Sequence, residues 1–226
     1  MAAAREMYGR AAWTIAFALV LYYINHQEYP GPALQLTAVI ILIGLGFVGA
    51  GYGISWLAGP GSQRVLDQVL DSLQLQGSER VLDAGSAGGQ LALAVARRLQ
   101  SGKVIALGET AENEAPRELA KNEGLCDRIR FESADWKKLS YPDGNFDAVI
   151  CSRMLNSLET DALRISAVRE MVRVLKPGGK LALNEVGDAQ SILRALSESG
   201  IPNAHTQASN LPFGLGGRLI TAQKSR

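Results

Sequence analysis

The stretch 80–99, RVLDAGSAGGQLALAVARRL, limits the possible folds more than any other part of the chain. Val81 and Leu82 form a short apolar run that ends in Asp83. Gly85, Gly88 and Gly89 then crowd a tight turn, and from Gln90 apolar residues recur at helical spacing through Leu91, Val95 and Leu99. The pattern predicts a strand, a glycine-rich turn and a helix in succession. Glycines let a backbone pass close to a ligand, and a helix start offers unpaired amides and the positive end of its dipole to a carboxylate or phosphate.

The same alternation continues downstream. A second short apolar strand is expected over 103–107, then GETAENEAP and a helix over about 116–123, then a third strand over 129–133 that leads to Ala134 and Asp135. In DWKKLSYPDGNFDAVICSRMLNSL (135–158), 146–151 reads as a fourth strand. ALRISAVREMVRVLKPGGKLALNEV (162–186) reads as a helix, a turn at Pro177, Gly178 and Gly179, and a fifth strand over 180–186. The tail adds a helix near 189–197 and strands near 203–207 and 218–223. Upstream, Ser62 is placed to cap a helix carrying Val65, Leu66, Val69, Leu70 and Leu73 on one face, which leads to the Gly77 turn. Strands alternating with helices imply a parallel sheet with right-handed crossovers, and ligands then bind outside the carboxyl ends of the strands. Asp83, Glu109, Asp135 and Ser152 all fall at such ends.

Spacing separates this turn from the related one of dinucleotide-binding domains, which wants G-x-G-x-x-G. Here an acid precedes it as D-x-G-x-A-x-G over 83–89. This resembles motif I of the class I S-adenosylmethionine-dependent methyltransferases, with Ala87 at the usual middle glycine. The stretch from Asp135 resembles the pattern D-A-x-x-L-P-F-x-D-x-x-F-D-x-V of the same family, and the segment through Gly179 matches it too. The resemblance is to methyltransferases of the ubiquinone and menaquinone type. It implies an α/β, Rossmann-like seven-stranded sheet ending in a β-hairpin, and S-adenosylmethionine as cofactor. Asp83, Gly85, Ser86, Gly88 and Gly89 would hold the methionine end, and Asp135 would accept from the adenine amino group. Trp136 and Ser152 would lie with them at the cofactor. The ribose acid of the family is expected where Gly108 stands, so the next residue, Glu109, is the expected clamp. Relatives often carry V-L-H-H after the fourth strand, whereas this chain has Leu155, Asn156 and Ser157. The missing histidines leave the catalytic residue unassigned, with Asn156 as the candidate.

Before the domain lie two uncharged runs. The first, 11–24, follows Arg5 and Arg10; it fits a signal peptide, an interfacial helix or one arm of a hairpin, although no small-x-small cleavage pattern follows. After HQEYPGPA, the run 34–58 carries no charge and is long enough to cross a hydrocarbon core of about 30 Å. Gly44, Gly46 and Gly49 inside it spell G-x-G-x-x-G, but no strand precedes them, so the match is a decoy. Gly49 and Gly53, like Ala12 and Ala16, have the small-residue spacing of close membrane helices. The expectation is a transmembrane helical hairpin over 1–58, a breaker at Gly59, Pro60 and Gly61, and a methyltransferase domain over 59–226.

Composition excludes other classes. The net charge of +1 is spread among acids rather than gathered in a basic run, so nucleic acid is not an expected partner. The two cysteines, Cys126 and Cys151, and the two histidines, His26 and His205, lack the spacing of a metal site or a disulfide framework. The expected partners are the lipid bilayer, a lipidic small-molecule substrate and a membrane protein met through the glycine-rich helix. Two functions are open at this point: a membrane-anchored methyltransferase acting on a quinone, isoprenoid or phospholipid, or a catalytically inactive accessory subunit of a membrane complex.

Arg5, Arg10 and Arg64 flank the hairpin, while its connecting turn holds Glu28 and neither Lys nor Arg. By the positive-inside tendency both ends, and the domain, should be cytosolic. A reporter fused to the amino terminus is expected on the cytosolic face; its detection on the other side would leave a single crossing.

Overall fold

The computed structural model describes residues 62–226 apart from 87–88, 109–113, 134, 137, 186–188 and 210–216, together with the helical positions Tyr23, Val39, Leu42, Ile43, Leu45, Gly46, Val48 and Gly49. The chain divides into two compact units, Met1–Gln63 and Arg64–Arg226. The expected hairpin falls almost wholly outside the described residues. Among the described residues no helix is long and apolar enough to cross a membrane.

The elements follow the order α1 (Ser62–Leu73), β1 (Arg80–Ser86), α2 (Gln90–Arg98), β2 (Lys103–Gly108), α3 (Glu114–Asn122), β3 (Ile129–Ser133), β4 (Phe146–Ser152), a 3-10 turn (Leu155–Ser157), α4 (Asp161–Val174), β5 (Leu175–Glu185), α5 (Gln190–Glu198), β6 (His205–Ala208) and β7 (Arg218–Gln223). The seven strands form one sheet in the order β3-β2-β1-β4-β5-β7-β6. The first five are parallel, and β7 runs antiparallel between β5 and β6. This is the expected seven-stranded Rossmann-like sheet with its terminal antiparallel pair.

Both faces of the sheet are covered, which is why its strands read as unbroken apolar runs rather than as alternating ones. Leu82, Val149 and Leu183 pack on one face with Val168 and Met171 of α4 and Ile192 and Leu196 of α5. On the other face Val81, Val104, Ile150 and Ala182 pack with Val69 and Leu73 of α1 and Leu91 and Val95 of α2. Six consecutive residues of α2, from Leu91 to Ala96, are buried. Three of them are alanines, so the helix is apolar around much of its circumference and is enclosed on several sides.

Two strands differ from the sequence expectation in the same way. β1 does not stop at Asp83 but continues to Ser86, with a register shift against β4 between these two residues. β5 begins at Leu175 rather than 180. Its pairing slips where β4 advances from Phe146 to Ala148 while β5 advances from Leu175 to Lys180. The extra residues, Pro177, Gly178 and Gly179 among them, form a bulge inside the strand instead of a turn before it.

The β3–β4 connection contains no helix and is held instead by α4. Arg173 donates to the carbonyls of Leu139 (3.0 Å) and Tyr141 (2.8 Å) and to the carboxylates of Asp143 (2.7 Å) and Glu170 (2.7 and 2.8 Å). Glu170 in turn accepts the Leu139 amide at 2.8 Å. Tyr141 stacks edge-on against Phe146, with ring centroids 5.0 Å apart, and its hydroxyl donates to Glu132. A side chain that satisfies backbone carbonyls in this way does the work of a helix.

Arg173→Met should cost about 2 to 3 kcal/mol, the scale of losing charge-assisted bonds to partly buried groups, measured by urea unfolding. The hydrogen bond from Arg173 holds the Glu170 carboxyl below the ordinary carboxylate range. Its folded pKa is therefore lower than its unfolded one. The stabilisation is full above the unfolded value of about 4.3 and is lost below it, as pH falls through the lower folded value. The difference between wild type and Arg173→Met should accordingly shrink below about pH 4.

Candidate functional site

The site is built where β1 and β4 stop pairing regularly. Asp83 is fully buried, and its Oδ1 accepts the amide of Gly85 at 3.1 Å, within the bulge. Gly85 has φ +133°, a conformation that side chains resist. A Cβ placed there would lie 2.7 Å from Cγ of Met154 and 3.4 Å from Cη2 of Trp136. Gly89, which has no side chain with which to cap, precedes α2 with φ +65°. A Cβ there would meet Pro116 at 3.0 Å and Phe131 at 3.1 Å. The start of α2 thus faces the carboxyl edge of the sheet, where an anionic group is favoured, and at both glycines neighbouring side chains pack directly on the backbone.

The structure brings several of the expected residues to this edge. Ser86 closes β1 and pairs in register with Ser152, the last residue of β4. Trp136, half-buried, joins Met154 against Gly85. Asp135 follows β3, exposed, with its carbonyl accepting the Lys138 amide at 3.1 Å. Asn156 is exposed in the 3-10 turn, with its backbone amide directed to the Glu185 carboxyl. Gly88 and Glu109 lie outside the described residues, as does Ala87.

The segment after β4 is held from two sides. Arg153 adopts φ +65°, rare for a side chain of its size, and its amide donates to the Asn184 carbonyl at 2.8 Å. From α4, Arg164 donates to the carbonyls of Leu155 (3.1 Å) and Leu158 (3.2 Å). From the end of β5, Oε1 of Glu185 accepts the Leu155 amide at 3.2 Å and the Cys151 thiol at 3.4 Å. Next to it, Asn184 donates to the Ser152 hydroxyl at 3.2 Å. Burial pushes the Glu185 carboxyl above the ordinary range, partly offset by the Leu155 amide and the Cys151 thiol. Burial, then the charges of Glu185 and Asp83, push the Cys151 thiol well up, so it stays protonated and serves as a donor rather than a nucleophile.

Glu185 and Asn184 were not singled out from the sequence. The signal was present: two polar residues end the apolar run LAL at 181–183, just as Asp83 ends VL at 81–82. Among the described residues no group of His, Cys, Asp and Glu could hold a metal ion. Another cavity, about 620 Å³, is lined by Ser72, Lys180, His205 and Gln223 at the amino edge of the sheet and is separate from this site.

A parallel sheet with a glycine cradle at the carboxyl end of its first strand defines a nucleotide-cofactor domain. Residues 81–179 match the family model of a methyltransferase domain. This part of the chain is thus similar to methyltransferase domains, and its fold is that of a solved S-adenosylmethionine-dependent methyltransferase from Aquifex aeolicus, which superposes with a TM-score of 0.61 at 19% identity, covering 75% of this chain and 96% of that one. The chain is 32% identical over 127 residues to the methyltransferase GfsG of Streptomyces halstedii, covering 55% of this chain and 44% of that protein. It is 33% identical over 122 residues to the ubiquinone/menaquinone biosynthesis C-methyltransferase UbiE of Pectobacterium carotovorum subsp. carotovorum, covering 53% and 47%. The chain spans about half the length of the curated relatives it matches. The solved structure of the cyclase SpnF superposes with a TM-score of 0.61 at 25% identity, covering 72% of this chain and 80% of that one. The amino-terminal end of α2 behind Gly89 fits the carboxylate-bearing methionine end of S-adenosylmethionine, with Met154 and Trp136 packed over Gly85 beside it.

Gly85→Ala tests the cradle, because the new methyl group meets both an unfavourable φ and Met154. It should lower stability by about 1 to 3 kcal/mol, the scale of a residue held in a sparsely populated conformation. Thermal unfolding measures this loss, and calorimetry should show weaker S-adenosylmethionine binding.

Proposed function

We propose that the chain is a membrane-anchored methyltransferase that uses S-adenosylmethionine to methylate a lipid-phase small molecule such as a quinone, an isoprenoid or a phospholipid. The glycine cradle with Asp83 beneath it is the observation that carries methyl transfer. When bound, the cofactor supplies a methyl group already activated on a sulfonium, so the protein's task is to orient the acceptor and exclude water. Gly85 and Gly89 give backbone access to the methionine end, Asp135 accepts from the adenine amino group, and Glu109 clamps the ribose. Met154 and Trp136 form an apolar wall beside the cradle, and Asn156 orients the acceptor.

Support for the anchor comes from residues 1–58. Along the uncharged second run, Val39, Leu42, Ile43 and Leu45 are helical and each more than half exposed. Aliphatic side chains presented in this way favour an apolar surrounding, and a bilayer supplies one. A domain tethered by only Gly59 to Gly61 meets bilayer-dissolved molecules at high effective concentration, an advantage wasted on a soluble acceptor. The quinone-pathway name of one relative points the same way. On this reading the domain lies on the cytosolic side, and the glycine-rich run offers a surface for a membrane protein partner.

The seating of Met154 over Gly85, with Ala87 in place of a glycine and no histidines at 156–157, favours a second reading as a catalytically inactive accessory subunit. Titrating the detergent-solubilised full chain with S-adenosylmethionine by calorimetry separates the two. Binding in the micromolar range is expected, whereas no heat of binding would leave the accessory reading. If the acceptor is lipidic, deletion of residues 1–58 should reduce methylation of vesicle-borne lipid far more than of a short-chain soluble analogue. Equal losses would make the anchor purely structural.

A further inference from the structure

Glu185 is 4% exposed, yet only one of its oxygens is used. Oε1 takes the Leu155 amide and the Cys151 thiol, while Oε2 is buried with no hydrogen-bond partner among the described residues. A carboxylate in such a place costs stability that an apolar side chain of similar size would not. What it provides is an acceptor aimed at the backbone immediately after Met154. The turn it meets is strained at Arg153, and strain of that kind persists only where the surroundings over-determine it. Three attachments do so here: the Asn184 carbonyl on the Arg153 amide, Arg164 on the Leu155 and Leu158 carbonyls, and Glu185 on the Leu155 amide. Asn184 and Glu185 both reach from the far side of β4 to the residues flanking Met154, Asn184 through its backbone and Glu185 through its side chain. The side chain delivered by this turn is the one that meets Gly85.

We propose that Glu185 is a positioning residue: by accepting the Leu155 amide it sets the turn that seats Met154 against Gly85 and so forms the wall at the methionine end of the cofactor site. The proposal rests on the methyltransferase reading for its effect on the cofactor, but not for the placement of Met154. Because Oε2 makes no bond, the side-chain amide of glutamine keeps the needed oxygen and gives up no hydrogen bond. Glu185→Gln should therefore behave as wild type, whereas Glu185→Ala frees the turn. Glu185 and Met154 act in one chain of contacts, so their removal should not add.

The test uses the full chain in detergent, with calorimetric titration of S-adenosylmethionine and thermal unfolding on the same samples. Expected are a roughly tenfold rise in Kd for Glu185→Ala, a similar rise for Met154→Ala, and a double variant no weaker than the poorer single one. Glu185→Gln should stay within about threefold of wild type. Wild-type affinity in a folded Glu185→Ala, a loss in Glu185→Gln equal to that in Glu185→Ala, or losses that multiply in the double variant would each overturn the proposal. A second readout needs no ligand. With Trp13 and Trp56 replaced by phenylalanine, the emission of Trp136 should shift to the red in both alanine variants, as its Met154 cover loosens. An unshifted spectrum in folded Glu185→Ala overturns the proposal even if no cofactor binds, and failure of the wild type to bind S-adenosylmethionine counts only against the functional reading.

Discussion

The Asp83 carboxylate accepting the Gly85 amide is the contact on which the functional edge depends. Without it, β1 would have no reason to leave its ladder with β4 three residues before its end. A fully buried carboxylate is tolerated only where donors meet it, and the backbone of the bulge supplies one. In return the acid holds the amide of Gly85, whose φ is positive. The start of α2 and the wall formed by Trp136 and Met154 are both placed relative to this point.

The same device recurs two strands away. At the end of β5, Glu185 is also buried and also accepts an amide, but from a residue far away in sequence instead of two positions on. The neutral Cys151 thiol lies against Glu185, and its pKa also responds to the charge of Asp83. Local bonding at one carboxylate shapes a strand end, and distant bonding at the other shapes a loop. The carboxyl edge is thus organised from beneath by side chains that a cofactor need never touch.

Much of this was legible in the sequence. Period and punctuation placed β3 at 129–133 and the start of α2 at Gln90, where the structure has them, since Gly89 breaks the chain just before the helical spacing begins. They also placed the terminal pair of strands to within a residue or two. The bulges at 83–86 and 175–180 were not legible. A pairing slip is a relation between two strands, and Pro177, Gly178 and Gly179 look the same in a turn as in a bulge. What holds the connection between β3 and β4 was hidden for a related reason, since Arg173 sits far along the chain on α4. Asp83, Gly85 and Gly89 were found because their spacing is local. Glu185 was passed over because its importance comes from the Leu155 amide, which only the folded sheet brings to it.

The position of β7 has a consequence for how the protein is made. β7 lies between β5 and β6, and Lys224 just beyond it donates to the carbonyls of Val172 and Leu175 at the end of α4. On the ribosome the five parallel strands emerge first, but β5 remains an open edge until Arg218–Gln223 has been translated. β6 emerges earlier still and has no neighbour to pair with in that interval. The nascent domain therefore spends the last stage of its translation with an unprotected apolar strand, a period in which chaperone occupancy or mispairing with another nascent chain would be decided.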